Sequence, residues 1–472
     1  MHDDHHDRTL SDAEHLMWRL EADAQLSSTF ANVTILDRPP DVDRLRRRME
    51  HVAERMPRLR RFIRTGVGNV APATWVDDPD FDIDHHVRHI ALPAPGSERQ
   101  LFDLATLITI DPFDRTRPLW QFVVIDGLEG GRSALVEKLH HTIADGERGV
   151  ELAFEFLDLE RYPEDPVGDA SVSGTRAEGG SGDADPMPPD PDLEQADAVR
   201  TALAGALRVP IGVLERVREL LAEPDQIQEA TAAAADTFAG LLAQLGAVDR
   251  ARSPLWTERS PRRHLAVASA PWAETRAAAQ SLGGTINTAF LTVAADAAGR
   301  YHELLGSPVA SLRASMAIST RTDVSGGNAF TLARLLVPTA PMPISDRFVA
   351  VEDVVRDVVA EATATPLDTM AALAAPLPTS ILTRLARQQA QTIDFATSNV
   401  KGSPVPVYVA GARLLHNYPV GPLGGVPFNL TLLSYDGHLD MGINIDPAAV
   451  VEPELLEHCI VAAIADLTSI GG

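Results

Sequence analysis

The stretch LVEKLHHTIADGERGVELAFEF, Leu135–Phe156, changes character at its middle. Its first part belongs to an apolar, strand-like run, SALVEKLHH, beginning at Ser133. Its last part, with the residue that follows it, sets Val150, Phe154 and Leu157 at helical spacing. Just upstream, LWQFVVID (119–126) is a second β-branched run, and GLEGGR (127–132) between the two reads as a turn. The pattern predicts strand, turn, strand, loop and helix, with His140 and His141 at a strand end and the loop through Asp145 and Gly146 feeding the helix. Alternation of this kind points to an α/β architecture.

The placement suggests chemistry. A neutral imidazole titrates at about 6.5, so a histidine at a strand end, beside a cavity, is suited to act as a general base. Asp145 on the following turn can fix the local geometry, and Gly146 allows a tight turn or a close backbone approach. A second pair, His85 and His86 in FDIDHHVRHI, lies inside a strand-like pattern and reads as surface or packing.

Working outward, PPDVDRLRRRMEHVAERMPRLRRF places Val42, Leu45, Met49, Val52 and Met56 on one helical stripe, with Asp41 or Asp43 as a cap. Residues 166–192 are rich in Gly, Ser, Asp and Pro and predict a flexible linker. Residues 193–250 form an Ala/Leu/Glu-rich helical connector interrupted at Pro210 and Pro224. A second α/β block follows. It has helices near Trp272–Leu282, Asn287–Leu305 and Val351–Glu361, and strands at LRASMAIST and FTLARLLVP. A hairpin turns at Asp436–Gly437, with Leu439, Met441, Ile443 and Ile445 alternating on its return strand. A last helix buries Leu456, Cys459, Ile460, Ala463, Ile464 and Leu467. The expected division is therefore 1–165, linker 166–192, connector 193–250 and 251–472.

Bulk properties narrow the classes. A formal charge of −25 argues against a nucleic-acid partner. A single cysteine, Cys459, excludes an internal disulfide and fits a reducing cytoplasm. No apolar run reaches the ~18–20 residues of a membrane helix, so any membrane or lipid-droplet association is expected to be peripheral. The arginines at 44, 46, 47, 48, 58, 60, 61 and 64 could meet phosphates or an anionic bilayer, or form a solvated face. No metal site is expected. The histidines and aspartates of the first seven residues read as a tail.

HHTIADG (140–146) resembles the HHxxxDG signature of the bacterial wax ester synthase/diacylglycerol acyltransferase family. That family lies within the chloramphenicol acetyltransferase-like, CoA-dependent acyltransferases, which include peptide-synthetase condensation domains. Other blocks resemble it in order: LSDAEHLMWRLE, PRLRRFI, FDIDHHVRHIALP, DRTRPLWQFVVIDGL, TINTAFLTVAADAAGRY, TSNVKGSPVPVYVAG and YPVGPLGGVPFNLTLLSYDGHLDMGINID. The resemblance implies two chloramphenicol acetyltransferase-like domains, mixed sheets flanked by helices and an active-site channel at their interface. It implies His141 as base, His140 in support and Asp145 orienting the motif, with acyl-CoA as co-substrate and a lipophilic alcohol as acceptor. It also marks Trp120, Asn287, Asn328, Ser398 and Asn399 as candidates for substrate contact, although Trp120 reads first as a core anchor. The chain departs from the family at Asn287-Thr288, where Asn-Asp is usual, so an acidic group is missing there. It departs again at SNVKGS (398–403), where SNVPGP is usual, and SPLWTERSPRRHLAV lacks an Asn-Gly element. The altered segments at 287–288 and 398–403 leave open a degenerate member that binds acyl-CoA or lipid without turnover; a condensation-type enzyme using carrier-bound acyl groups is a third reading.

Overall fold

The computed structural model describes residues 8–65, 73–144, 146–163, 251–319, 330–361 and 378–471. The expected linker and helical connector, Asp145, Asn328 and the histidine-rich N-terminal tail lie outside them.

In chain order the first half runs α1 (Asp12–Leu20), β1 (Thr29–Leu36), α2 (Val42–Arg55), β2 (Arg61–Arg64), β3 (Thr74–Asp77), a single turn α3 (Ile83–His86), β4 (Val87–Ala91), α4 (Glu98–Ile110), β5 (Trp120–Leu128), β6 (Arg132–His140) and α5 (Gly146–Phe156). The second runs β7 (His264–Pro271), α6 (Trp272–Ser281), α7 (Ile286–Leu304), β8 (Ser311–Ser319), β9 (Phe330–Pro338), α8 (Ile344–Glu361), α9 (Thr379–Ala390), β10 (Phe395–Lys401), β11 (Tyr408–Val409), β12 (Ala412–Val420), β13 (Phe428–Tyr435), β14 (His438–Ile445) and α10 (Pro453–Thr468).

Local chemistry explains the element ends. Ser11 and Glu14 form a reciprocal capping box that starts α1, and the Asp41 carboxylate caps α2 by accepting from Arg44 N at 3.0 Å. The α2 stripe buries Leu45, Met49, Val52 and Ala53, with Val42 and Met56 partly buried against the same cluster. Asp436 and Gly437 both adopt positive φ (41° and 83°), the type I′ geometry that joins β13 to β14. The α10 face buries all six residues that its periodicity marks.

Two six-stranded mixed sheets result, ordered β11-β12-β1-β6-β5-β4 and β7-β14-β13-β10-β8-β9. The first is completed from far along the chain. β12 pairs antiparallel with β1 from Ala31↔Val420 to Leu36↔Leu414, so strands within 251–472 finish a sheet begun within 1–165. β12 also lies against the second sheet: a Cβ on Gly442 would stand 1.9 Å from Pro419 O. This contact explains why β14 is buried on both faces rather than alternating. Asp440, Gly442 and Asn444 are as enclosed as Leu439, Met441 and Ile443. In α5 the buried face is Leu152 and Phe156, whereas Phe154, expected inside, is 66% exposed.

Candidate active site

β6 is the central strand that delivers the histidine pair. His140 N donates to Leu119 O (3.1 Å) on one side, and His141 N donates to Ser28 O (3.2 Å) on the other. The strand then breaks into a tight turn, closed by Ile143 N donating to His140 O at 2.8 Å. Successive side chains of an extended chain face opposite ways, so the two neighbouring imidazoles enter different surroundings.

His140 is 1% exposed. Its Nε2 lies 3.1 Å from Glu21 Oε2, and its Nδ1 lies 2.8 Å from Thr142 Oγ1 and accepts from Thr142 N at 3.2 Å. Trp18 meets the ring edge-on at 6.5 Å, and the Arg115 guanidinium covers the Trp18 ring at 3.6 Å. Both His140 nitrogens are thus engaged by the protein. Burial alone would raise the Glu21 carboxyl, but its hydrogen bonds to His140, Ser27 and the Ser28 amide outweigh that and hold it below the usual carboxylate range. The turn is held from beyond as well: Arg58, ion-paired with Glu14, donates to Thr142 O at 3.1 Å.

His141 is half-buried. Its ring lies 4.7 Å from that of Phe30, tilted by 39°, and its Nδ1 is turned inward. α5 begins at Gly146, immediately after the turn.

The other histidine pair has a different setting. His86 is fully buried and stacked between Phe81 (5.2 Å, 19°) and Trp120 (4.4 Å, 13°), with its Nδ1 2.8 Å from Trp120 O. Burial drives its pKa down to about 4 despite that hydrogen bond. Trp120 is equally enclosed, at 1% exposure, and its Nε1 donates to Leu59 O at 2.8 Å. Its surroundings are those of a core anchor.

Asn287, Ser398 and Asn399 come from the second sheet and its helices. Asn399 Nδ2 donates to Asn287 Oδ1 at 2.8 Å, tying the start of α7 to β10, and both residues are exposed. Ser398 is half-buried in β10. At position 288, where the family usually has an acid, Thr288 Oγ1 donates to the Glu352 carboxylate of α8, so a carboxylate lies beside that position.

The arginine cluster is largely paired within the protein. Arg44 and Arg48 meet Asp158, Arg46 meets Asp84, and Arg61 meets Asp77. Arg60 and Arg64 lie over Phe81 and Phe62. A groove of about 560 Å³ opens at the edge strand β4 instead, lined by Arg88, Ile90, Leu107, Ile110 and Gln121. Among the described residues no group of three or more His, Cys, Asp or Glu is placed to hold a metal, and no helix is long and apolar enough to cross a membrane.

Sequence reading missed Glu21, Thr142 and Phe30. Glu21 closes the block LSDAEHLMWRLE, where only a helix was visible, and nothing in local spacing joins it to a histidine 119 positions away.

The family profile described as wax ester synthase/diacylglycerol acyltransferase catalytic domain matches residues 10–290, and that of the family's C-terminal domain matches 326–468. A Mycobacterium tuberculosis protein provisionally named as a diacylglycerol O-acyltransferase is 30% identical, over 98% of this chain and 92% of its own. Among solved structures, a wax ester synthase/diacylglycerol acyltransferase from Marinobacter aquaeolei shares the fold, with TM-score 0.68 and 21% identity over 98% of this chain and 99% of that one. The first condensation domain of a calcium-dependent antibiotic synthetase does so more distantly, with TM-score 0.57 and 15% identity over 98% and 96%. The chain belongs to the wax ester synthase/diacylglycerol acyltransferase family of acyltransferases.

Proposed function

We propose that the protein transfers a long-chain acyl group from acyl-CoA directly to a lipophilic alcohol, with diacylglycerol the leading acceptor and fatty alcohol the next. His141 is the general base and Nε2 its working atom, since Nδ1 faces inward. The alcohol proton passes to Nε2 as the oxygen attacks the thioester carbonyl. The tetrahedral oxyanion then collapses, the C–S bond breaks, and the thiolate leaves with the proton from the imidazolium. General-base assistance is worth ~10²–10⁴ in rate, so the rest must come from positioning and oxyanion stabilisation. Asp145 orients the motif, and Asn287, Asn399 and Ser398 are candidate donors on the acceptor side. In this reading the segments 1–165 and 251–472 are the two catalytic halves, and 166–250 joins them.

The observation that carries the assignment is the contrast between neighbours. His140 has both nitrogens committed, whereas His141 is the half-exposed ring of the pair. The test is to incubate purified protein with labelled palmitoyl-CoA and either diolein or hexadecanol. Labelled ester with either acceptor supports the reading. Tight binding of palmitoyl-CoA without ester points to a binder, and transfer only from a carrier-protein thioester points to a condensation-type enzyme; either result overturns it.

A further inference from the structure

We infer that Glu21 is a positioning residue for acyl transfer, acting through His140 and the Ser27–Ser28 turn to fix the backbone of His141; the inference rests on the reading of His141 as base. Glu21 ends α1, where its own N–H is held by Met17 O at 3.1 Å. Its carboxylate accepts three further bonds. Oε1 takes Ser27 Oγ at 2.7 Å, and Oε2 takes both Ser28 N at 2.8 Å and His140 Nε2 at 3.1 Å.

These bonds converge on one residue. With Nε2–H donated to a carboxylate, His140 presents Nδ1 as an acceptor, and Nδ1 takes Thr142 N. The ring therefore closes a loop from residue 140 to residue 142 that spans His141. Ser28, whose N–H is fixed by Glu21, offers its O to His141 N. One carboxylate thus anchors the supports on both sides of the His141 backbone. Two supports do not depend on Glu21, Ile143 N on His140 O and Arg58 on Thr142 O, and they would hold the turn loosely in place if Glu21 were removed.

A mispositioning of the base by about 1 Å costs on the order of 10²-fold in turnover. Glu21→Ala is therefore expected to lower kcat about 100-fold, with KM for palmitoyl-CoA and the acidic limb of the pH–rate profile unchanged. Glu21→Gln is expected to recover most of kcat. One amide oxygen can accept from both Ser28 N and His140 Nε2, while the NH2 donates to Ser27 Oγ. Recovery by glutamine separates geometry from charge, and unchanged KM and pH profile separate positioning from partial unfolding. Should Glu21→Ala fail to fold, Ser27→Ala carries the test with an expected kcat loss of about threefold. Wild-type kcat in the folded Glu21→Ala protein, or in Ser27→Ala where it alone folds, overturns the inference. So does a loss in Glu21→Gln equal to that in Glu21→Ala. His141→Ala in the same assay keeps the two claims apart: full activity there removes the base itself, whatever Glu21 does.

Discussion

Glu137 offers a test of how the central sheet is built. It lies on β6, fully enclosed, and among the described residues its carboxyl meets Asn32 Nδ2 at 3.3 Å and Thr34 Oγ1 at 3.5 Å. Burial outweighs those two bonds and raises its pKa from 4.5 to about 7. Between these values the folded chain holds a proton that the unfolded chain has released, so stability falls as pH rises through that window. Above it, the folded state carries a penalty on the order of 3 kcal/mol relative to a neutral side chain. Glu137→Gln keeps the shape, since its carbonyl can accept from Asn32 and its NH2 can donate to Thr34 Oγ1. Urea unfolding of both proteins at pH 5 and pH 8 reads the difference. The variant is expected to exceed the wild type by about 3 kcal/mol at pH 8 and by less than about 1 kcal/mol at pH 5. Comparing the two proteins at each pH cancels the titration of every other group. An equal difference at both pH values would refute the reasoning, because it would mean that the carboxyl is not held protonated in the fold.

Two further perturbations address packing. His86→Ala removes a ring sandwiched between Phe81 and Trp120 and leaves Trp120 O without its partner, which should cost about 3 kcal/mol at pH 8. Because the folded pKa of His86 is depressed to about 4, its contribution is present above the ordinary 6.5 and is lost as pH falls towards 4. The gap between variant and wild type in thermal midpoint should therefore narrow across that range, while turnover per folded molecule stays at the wild-type level. Gly442→Ala drives a Cβ to 1.9 Å from Pro419 O, so β12 and β14 must separate. A loss of at least about 2 kcal/mol is expected by calorimetry, and an unchanged midpoint would show that the sheets do not approach so closely.

Local periodicity read well where one element decides its own face. The stripe of α2, the Asp436–Gly437 hairpin and the buried side of α10 all follow from spacing and turn chemistry. What escaped was set by partners far along the chain. Nothing in ARLLHNYPV, residues 412–420, says that β12 pairs with β1 and also presses on β14. In α5 the buried side is Leu152 and Phe156, the latter against Phe122 of β5, rather than the expected Phe154. The arginine stripe left a phosphate or bilayer surface and a solvated face both open, because its acidic partners, Asp77, Asp84 and Asp158, come from other elements. The site divides the same way. The position of His140 and His141 at a strand end was legible, since a strand, a loop and a helix each left a local pattern. Their different surroundings were not, because these depend on Glu21, Thr142 and Phe30 closing around the strand end in three dimensions.

The most direct measurement is the initial rate of ester formation by His141→Ala against the wild type, with palmitoyl-CoA and an alcohol acceptor saturating and thermal midpoints matched. The account predicts a rate at least 10²-fold lower for the variant. A rate within about threefold of the wild type would contradict it.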